Sequence, residues 1–303
     1  MVFLSNSVGT KLNVNNNWEE DTYAWRKLHR KYTIGENVED LLTAIDSTHK
    51  KGIKTSACLL GENVQSFKEA SRVTEEYITL IDKIDGSKAN ISVKLSYLGL
   101  KPNNGQSYEK TRENLLKILK TASYKQVLVE IDMERVDLIK NTFRLARIML
   151  KNRKTFRIST QTRLVNVLEY INSLKHTALI TGTHFGLRIV TGACYNKIDN
   201  VGVDNNHMSK QFYHLIDWAS SWQTESRFRK KIPSIIATQI EKRIPYAADK
   251  SIGFQFLKGE EQTPLFGRAL ELAQQYGLEI GLYAGIGKLK NQGVREYLWR
   301  RIQ

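Results

Sequence analysis

Eight short runs rich in apolar and β-branched residues alternate with eight stretches of helical periodicity along most of this chain. The runs lie at 54–60, 89–96, 126–132, 156–162, 187–192, 234–238, 253–259 and 279–285. The helical stretches follow them at 65–83, 109–123, 136–151, 164–174, 207–222, 239–248, 264–276 and 291–302. Near-continuous apolar strands joined through helices predict a parallel sheet with covered faces, since only a crossover can return the chain to start a parallel neighbour. Eight such units over about 250 residues predict a closed (β/α)8 barrel, an α/β fold. No GxGxxG follows any run, which argues against an open sheet built for dinucleotides.

The chain ahead of the first unit is of a different kind. Residues 1–33 are polar and irregular apart from an aromatic patch at Trp18, Tyr23 and Trp25, and are expected to form a leader helix packed on the main body. An amphipathic helix follows, with Val38, Leu41, Leu42 and Ile45 on one face. The expected division is an N-terminal extension over 1–50 and a barrel over 51–303. The opening apolar run, Met1 to Ser5, is too short for a secretory signal, so the expected location is cytoplasmic. Cys58 and Cys194 sit inside apolar runs with no cysteine or histidine at ligand spacing, which predicts buried thiols, no disulfide and no metal site. The formal net charge of +15 favours anionic partners. Its densest clusters, 151–154 and 227–231, lie in connections with no nucleic-acid motif around them; they read as a generic basic surface, with no nucleic-acid partner expected.

In a barrel of this kind the active site lies at the C-terminal ends of the strands. There the chain carries Glu62 and Asn63 after the first run, Lys94 in the second and Asp132 and Glu134 after the third. Gln161 ends the fourth run, Arg188 lies in the fifth, Thr238 and Gln239 end the sixth, and Gln255 and Tyr283 lie in the last two. Each has a modest explanation of its own. Asp132 could cap the next helix, Lys94 could carry its head to the rim, and Arg188 could pair with Asp132 or Glu134. The pair Arg300-Arg301, taken alone, is a solvated helix end favoured by the helix dipole. Taken together, these residues place a surplus of cations around one mouth, which suits a carboxylate and a phosphate-bearing cofactor.

The segments Leu60-Gly61-Glu62-Asn63, Ile91-Ser92-Val93-Lys94-Leu95-Ser96, Ile131-Asp132-Met133-Glu134, Leu187-Arg188-Ile189-Val190-Thr191-Gly192-Ala193 and Phe254-Gln255-Phe256-Leu257-Lys258-Gly259 are joined by Gln161, Ala237-Thr238, Tyr283 and Arg300-Arg301. In that order, from about Ile34 to the end, they resemble the proline dehydrogenase family. The resemblance implies an FAD-dependent (β/α)8 barrel that oxidises L-proline to Δ1-pyrroline-5-carboxylate by hydride transfer to flavin N5. Electrons would pass to a quinone, with the basic surface helping peripheral contact at the inner face of a membrane. Arg300, Arg301 and Lys94 match residues that hold the substrate carboxylate, and Asp132 and Tyr283 match residues that shape the pocket. Gln161 and Arg188 match flavin contacts, and Thr191, Gly192, Ala193, Thr238 and Gln239 fall at cofactor-binding positions. The implied alternatives are the same flavin chemistry on another amino or imino acid, with pocket size near Tyr195, Leu257 and Tyr283 deciding, or a binding protein without turnover.

Four departures from the family pattern fall on the cofactor side and at the last strand. Thr191 stands where the family motif has lysine, and Gln239 where it has a histidine that contacts FAD. Thr160-Gln161-Thr162-Arg163 keeps only the glutamine of its motif, and Tyr283-Ala284-Gly285-Ile286-Gly287 lacks the usual proline. The family also places a glutamate four residues after the first arginine, a position beyond Gln303. The expectation is that the α-carboxylate of Gln303 stands in for it beside Arg300.

Overall fold

The computed structural model describes residues 22–192 and 205–301. It opens with helix α1 (Thr22–Tyr32), a short strand β1 (Thr33–Gly35) and helix α2 (Val38–His49). Four strand–helix units follow: β2 (Lys54–Leu59) with α3 (Phe67–Lys83), β3 (Ala89–Val93) with α4 (Gly105–Tyr124), β4 (Val129–Ile131) with α5 (Val136–Lys151), and β5 (Arg157–Gln161) with α6 (Val167–Thr181). Four more complete the ring: β6 (Gly186–Val190) with α7 (Asn205–Thr224), β7 (Ile235–Ala237) with α8 (Arg243–Asp249), β8 (Gly253–Leu257) with α9 (Pro264–Tyr276), and β9 (Ile280–Ile286) with α10 (Gln292–Trp299). Strands β2 to β9 pair in parallel in chain order, and β9 pairs back to β2, so the sheet closes on itself as the alternation predicts.

Local chemistry sets where the helices begin and end. Asn37, Ser66, Asn104 and Thr263 each accept a backbone N–H of the first turn of their helices, and Pro264 opens α9 where a missing N–H is harmless. Helices α6 and α9 stop at Gly182 and Gly277 in the left-handed region, φ 66° and 64°. Along α3, Ala70, Val73, Tyr77, Leu80 and Ile81 recur at helical spacing and are buried, forming the stripe that packs α3 inward.

Two features depart from the sequence-based expectation. Strand β1 was not anticipated, since a three-residue segment carries no periodicity. It exists because β8 pairs with β9 only as far as Tyr283, while β9 runs on to Ile286. β1 takes up the free stretch, Thr33 opposite Gly285 and Gly35 opposite Ile286. The second departure is that the barrel strands are not apolar on both faces. Ile91, Val93, Ile131, Ile158, Leu187, Ile189, Phe254 and Phe256 belong to the main apolar core, but the residues alternating with them are polar. Arg188 bonds Ser92 and Glu130, and Gln255 bonds Glu130, across strands that are not neighbours, which only the barrel interior permits.

That interior is held by charge. Arg157 donates to Glu130 at 2.5 Å and to both oxygens of Glu279 at 3.0 and 3.1 Å, and its Nε donates to the Pro233 carbonyl at 3.0 Å. Glu130 also accepts from Arg188 at 3.1 Å and from Gln255 at 3.1 Å, and Gln255 donates to Ser56 at 2.8 Å. Burial alone would raise the Glu130 pKa, but the two guanidinium groups bring it below the ordinary carboxylate value. Among the described residues no helix is long and apolar enough to cross a membrane.

Removing one member of such a network strands its partners' charges in a dry interior. Arg157→Met is expected to destabilise the barrel by about 3–5 kcal/mol, read as a lower urea midpoint. A variant within experimental error of wild type would mean that the network contributes little.

Candidate active site

The strand ends bring most of the anticipated residues to one mouth, in two groups on opposite sides of the ring. The first group follows β2 and β3. Lys94, one residue past β3, is buried, and its ammonium has no hydrogen-bond partner; the nearest carboxylate oxygen is Glu62 Oε2 at 3.5 Å. Glu62 is in turn gripped by Arg300, Nη1 to Oε1 at 3.1 Å and Nη2 to Oε2 at 3.4 Å. Burial would raise the Glu62 carboxyl, yet Lys94 and Arg300 hold it down at about 2. Burial likewise opposes charge on Lys94, but its neighbours Cys58, Glu62 and Asp132 outweigh it and raise the ammonium pKa. Lys94 is therefore a fixed cation, not a base.

Close backbone approach is what lets the last helix reach this group. A Cβ on Gly293 of α10 would lie 2.9 Å from Gly61 Cα, so only glycine allows α10 to rest on the loop after β2. Arg300 caps α10 and Arg301 follows in a turn, so the helix ends at Trp299, short of the 302 that the helical pattern suggested. Arg301 stacks on the Tyr297 ring at 4.7 Å, and its Nε is buried with no hydrogen-bond partner among the described residues. The leader helix props this arrangement. Trp25 of α1 is buried among Cys58, Leu60, Tyr283, Val294, Tyr297 and Leu298, while His29 donates to the Gly287 carbonyl at 2.8 Å. Tyr23 of the expected aromatic patch is exposed, and Trp18 lies outside the described residues.

The floor of the mouth is a second cluster around Asp132. Its Oδ1 accepts from Ser92 Oγ at 2.6 Å and from an Nη of Arg188, and its Oδ2 accepts from the Tyr283 hydroxyl at 2.8 Å. Asp132 therefore does not cap α5, whose N-cap is Arg135 with no side-chain bond. Arg188 lies 5.3 Å from the Tyr283 ring centroid, over its face. Burial would pull its guanidinium down, but Asp132 and Glu130 push it above the ordinary arginine value. Burial next to Asp132 also raises the Tyr283 hydroxyl well above its usual value, so it stays a neutral donor. Cys58 is a free buried thiol whose pKa burial raises to about 11.

Across the ring, after β5, β6 and β7, lie the residues expected at the cofactor. Gln161 donates to the Met133 carbonyl at 3.4 Å. Gly192 has φ +99°, and a Cβ there would stand 3.1 Å from Gln161 Oε1, so glycine is what lets the chain turn this close to Gln161. Thr191 and Thr238 both accept from one guanidinium, that of Arg243. No motif marked Arg243; its signal would have been an arginine two turns of chain beyond Ala237-Thr238. Gln239 is turned aside, donating to Glu260 at 2.6 Å. Ala193, Cys194, Tyr195 and Gln303 lie outside the described residues, and with them the proposed contact of the terminal carboxylate; the described carboxylate partner of Arg300 is Glu62.

One site carboxyl responds near neutrality. Burial raises Glu134 to about 7, although its oxygens accept from the Ser96 backbone N–H and hydroxyl. Since its folded pKa lies above the ordinary 4.5, its stabilising contribution is complete below pH 4.5 and lost as pH rises through 7. Glu134→Gln is thus expected to compare better with wild type at pH 8 than at pH 5 in urea unfolding. Parallel profiles would exclude this titration.

These positions have counterparts in known proteins. A sequence profile of the family described as proline dehydrogenase matches residues 41–247. Proline dehydrogenase 1 of Bacillus subtilis is 32% identical over 114 residues, 37% of this chain and 36% of the relative. Proline dehydrogenase of Deinococcus radiodurans is 30% identical over 123 residues, 39% of each chain. The matched segment thus spans little more than a third of the length of these curated relatives. Among solved structures, proline utilization A from Bdellovibrio bacteriovorus, inactivated by N-propargylglycine, shares the fold with a TM-score of 0.76 at 21% identity, over 91% of this chain and 32% of that one. With the profile covering well over half of its length, this chain belongs to the proline dehydrogenase family.

Proposed function

We propose that this chain is a flavin-dependent dehydrogenase that oxidises L-proline to Δ1-pyrroline-5-carboxylate and passes the electrons to a quinone. The observation that carries the reading is the Lys94 ammonium, buried at the mouth with three N–H donors, Glu62 no nearer than 3.5 Å and no hydrogen-bond acceptor among the described residues. Leaving such a group unsatisfied is costly, so the site is built for an anion that arrives with the ligand. A small amino acid offers one in its carboxylate, and Arg300 and Arg301 stand on the same side to complete the clamp.

FAD, when bound, supplies the two-electron acceptor for oxidation of the ring carbon next to the amine. The residues present fit it. Arg243 has a buried Nε with no partner among the described residues, and its Nη1 donates to the Thr191 and Thr238 hydroxyls at the strand ends. Gln161, Arg188, Thr191, Gly192 and Thr238 would hold the group. The remaining work falls to groups held in place by their neighbours. Asp132 has both oxygens engaged by Ser92, Arg188 and Tyr283, so it positions its neighbours and takes no proton from substrate. The Tyr283 ring, pinned by that bond, forms a wall of the substrate space. Lys94 stays cationic and binds. No side chain among these acts as a base, so the substrate amine loses its proton to solvent before oxidation.

The purified protein is expected to be yellow, or to become so on reconstitution with FAD, and to bleach when L-proline is added without oxygen. A yellow protein bleached only by another amino or imino acid would redirect the substrate assignment; a protein that takes up no flavin would overturn the reading. Arg301→Met is expected to raise KM for proline by at least tenfold while flavin content stays at the wild-type level. Loss of flavin in that variant would show that the clamp assignment is wrong.

A further inference from the structure

Among the described residues three arginines are deeply buried in the barrel, and one of them has no carboxylate partner there. Arg157 and Arg188 each pair with two carboxylates. Arg243, the first residue of α8, is fully buried, yet no carboxylate among the described residues pairs with it. Its Nη1 donates to two neutral hydroxyls, Thr191 Oγ1 at 3.2 Å and Thr238 Oγ1 at 3.3 Å. Its guanidinium lies 3.8 Å from the centroid of the Phe212 ring, and its Nε has no partner. Burial pulls its pKa below the ordinary arginine value, but arginine remains protonated in proteins. A buried cation held only by hydroxyls and an aromatic face is stable where an anion completes it.

Its position says which anion. Thr191 and Thr238 are the residues directly after β6 and β7, so the guanidinium lies at the C-terminal rim of the barrel. In the closed order β2 to β9, those strands stand opposite β2 and β3, whose ends carry Glu62 and Lys94. The mouth thus has two separate cationic positions. One is next to the last helix and suits a small carboxylate. The other is Arg243 itself, held beside Thr191 and Thr238 at the ends of β6 and β7. The second also lies where two expected cofactor contacts are altered, Thr191 in place of lysine and Gln239 in place of histidine. Gln239 does not compensate, because its amide is committed to Glu260.

We propose that Arg243, with the hydroxyls of Thr191 and Thr238, is a phosphate subsite for the pyrophosphate of the flavin dinucleotide, supplying in one guanidinium the positive charge missing at positions 191 and 239. Arginine suits this role because its planar fork can donate to phosphate oxygens in pairs. The proposal rests on the flavoprotein reading above, and its test separates the two.

Apoprotein is titrated with FAD and with riboflavin, which lacks phosphate, following quenching of flavin fluorescence. Wild type is expected to bind FAD at least tenfold more tightly than riboflavin. Arg243→Gln should weaken FAD by about 10- to 100-fold and riboflavin by less than twofold, whereas Arg243→Lys should keep most of the preference. A wild-type preference that survives in Arg243→Gln overturns the subsite and leaves the flavoprotein reading standing. A wild type that binds neither flavin overturns that reading and the subsite with it. Should Arg243→Gln fail to fold, shown by circular dichroism, the wild-type ratio and Arg243→Lys decide: equal affinity for FAD and riboflavin in wild type, or a lysine variant with no preference, rejects the subsite.

Discussion

The fully buried carboxylate of Glu130, shared between Arg157 and Arg188, is the interaction on which the rest of this barrel depends. An interior filled by side chains is ordinarily apolar in a fold of this kind. Here short strands alternate apolar residues facing the helices with polar ones facing inward, and each inward polar group needs a partner that only a different strand can provide. Glu130 supplies it for β5, β6 and β8 at once, through Arg157, Arg188 and Gln255. The desolvation penalty for burying so much charge is large, and mutual pairing offsets it only when all members are in place. The consequence is a barrel whose register is strongly specified, because a slip of one residue would put Glu130 into the apolar layer beneath the helices.

Arg188 joins this structural layer to the site above it. One of its terminal nitrogens reaches down to Glu130 and Gln255, and the other reaches up to Asp132. Asp132 then orients Tyr283. The floor of the mouth is therefore continuous with the ionic core, and its groups are held in place by cross-strand hydrogen bonds. The clamp is built differently. Lys94 is rigid, being on a barrel strand end, but Arg300 and Arg301 arrive on the final helix. They are held by the Gly293–Gly61 contact, by Glu62, and by the α1 helix packing Trp25 beneath Tyr297 and Leu298. Residues from both ends of the chain thus complete one site.

Much of this was legible in order along the chain. The eight units and their strand positions follow from periodicity, which a linear sequence records directly. Lys94, Asp132 and Tyr283 stood out because charged or polar residues interrupt apolar runs at strand ends, and Arg300 because it stands in an adjacent arginine pair at a helix end. Arg157 drew no attention, because an arginine at the start of a run looks like a solvated strand end until its cross-barrel partners are known. Arg243 was invisible for a related reason. It begins a short helix beside Lys242, an exposed residue, and nothing in the one-dimensional pattern distinguishes the two. The β1 strand was missed because its pairing partner lies about 250 residues away, and only the unequal lengths of β8 and β9 create room for it.

By itself the sequence determined the class of fold, the number and order of its units, and which strand ends carry chemistry, because hydrophobic period and strand-end polarity are properties of neighbours in the chain. Only the tertiary structure decided the pairings: Glu62 with Arg300, Asp132 with Arg188 and Tyr283, and Arg243 with two threonines and no carboxylate. The reason is that the free energy of a buried charge depends on what surrounds it within a few ångströms. In a closed barrel, those neighbours come from strands far apart in sequence.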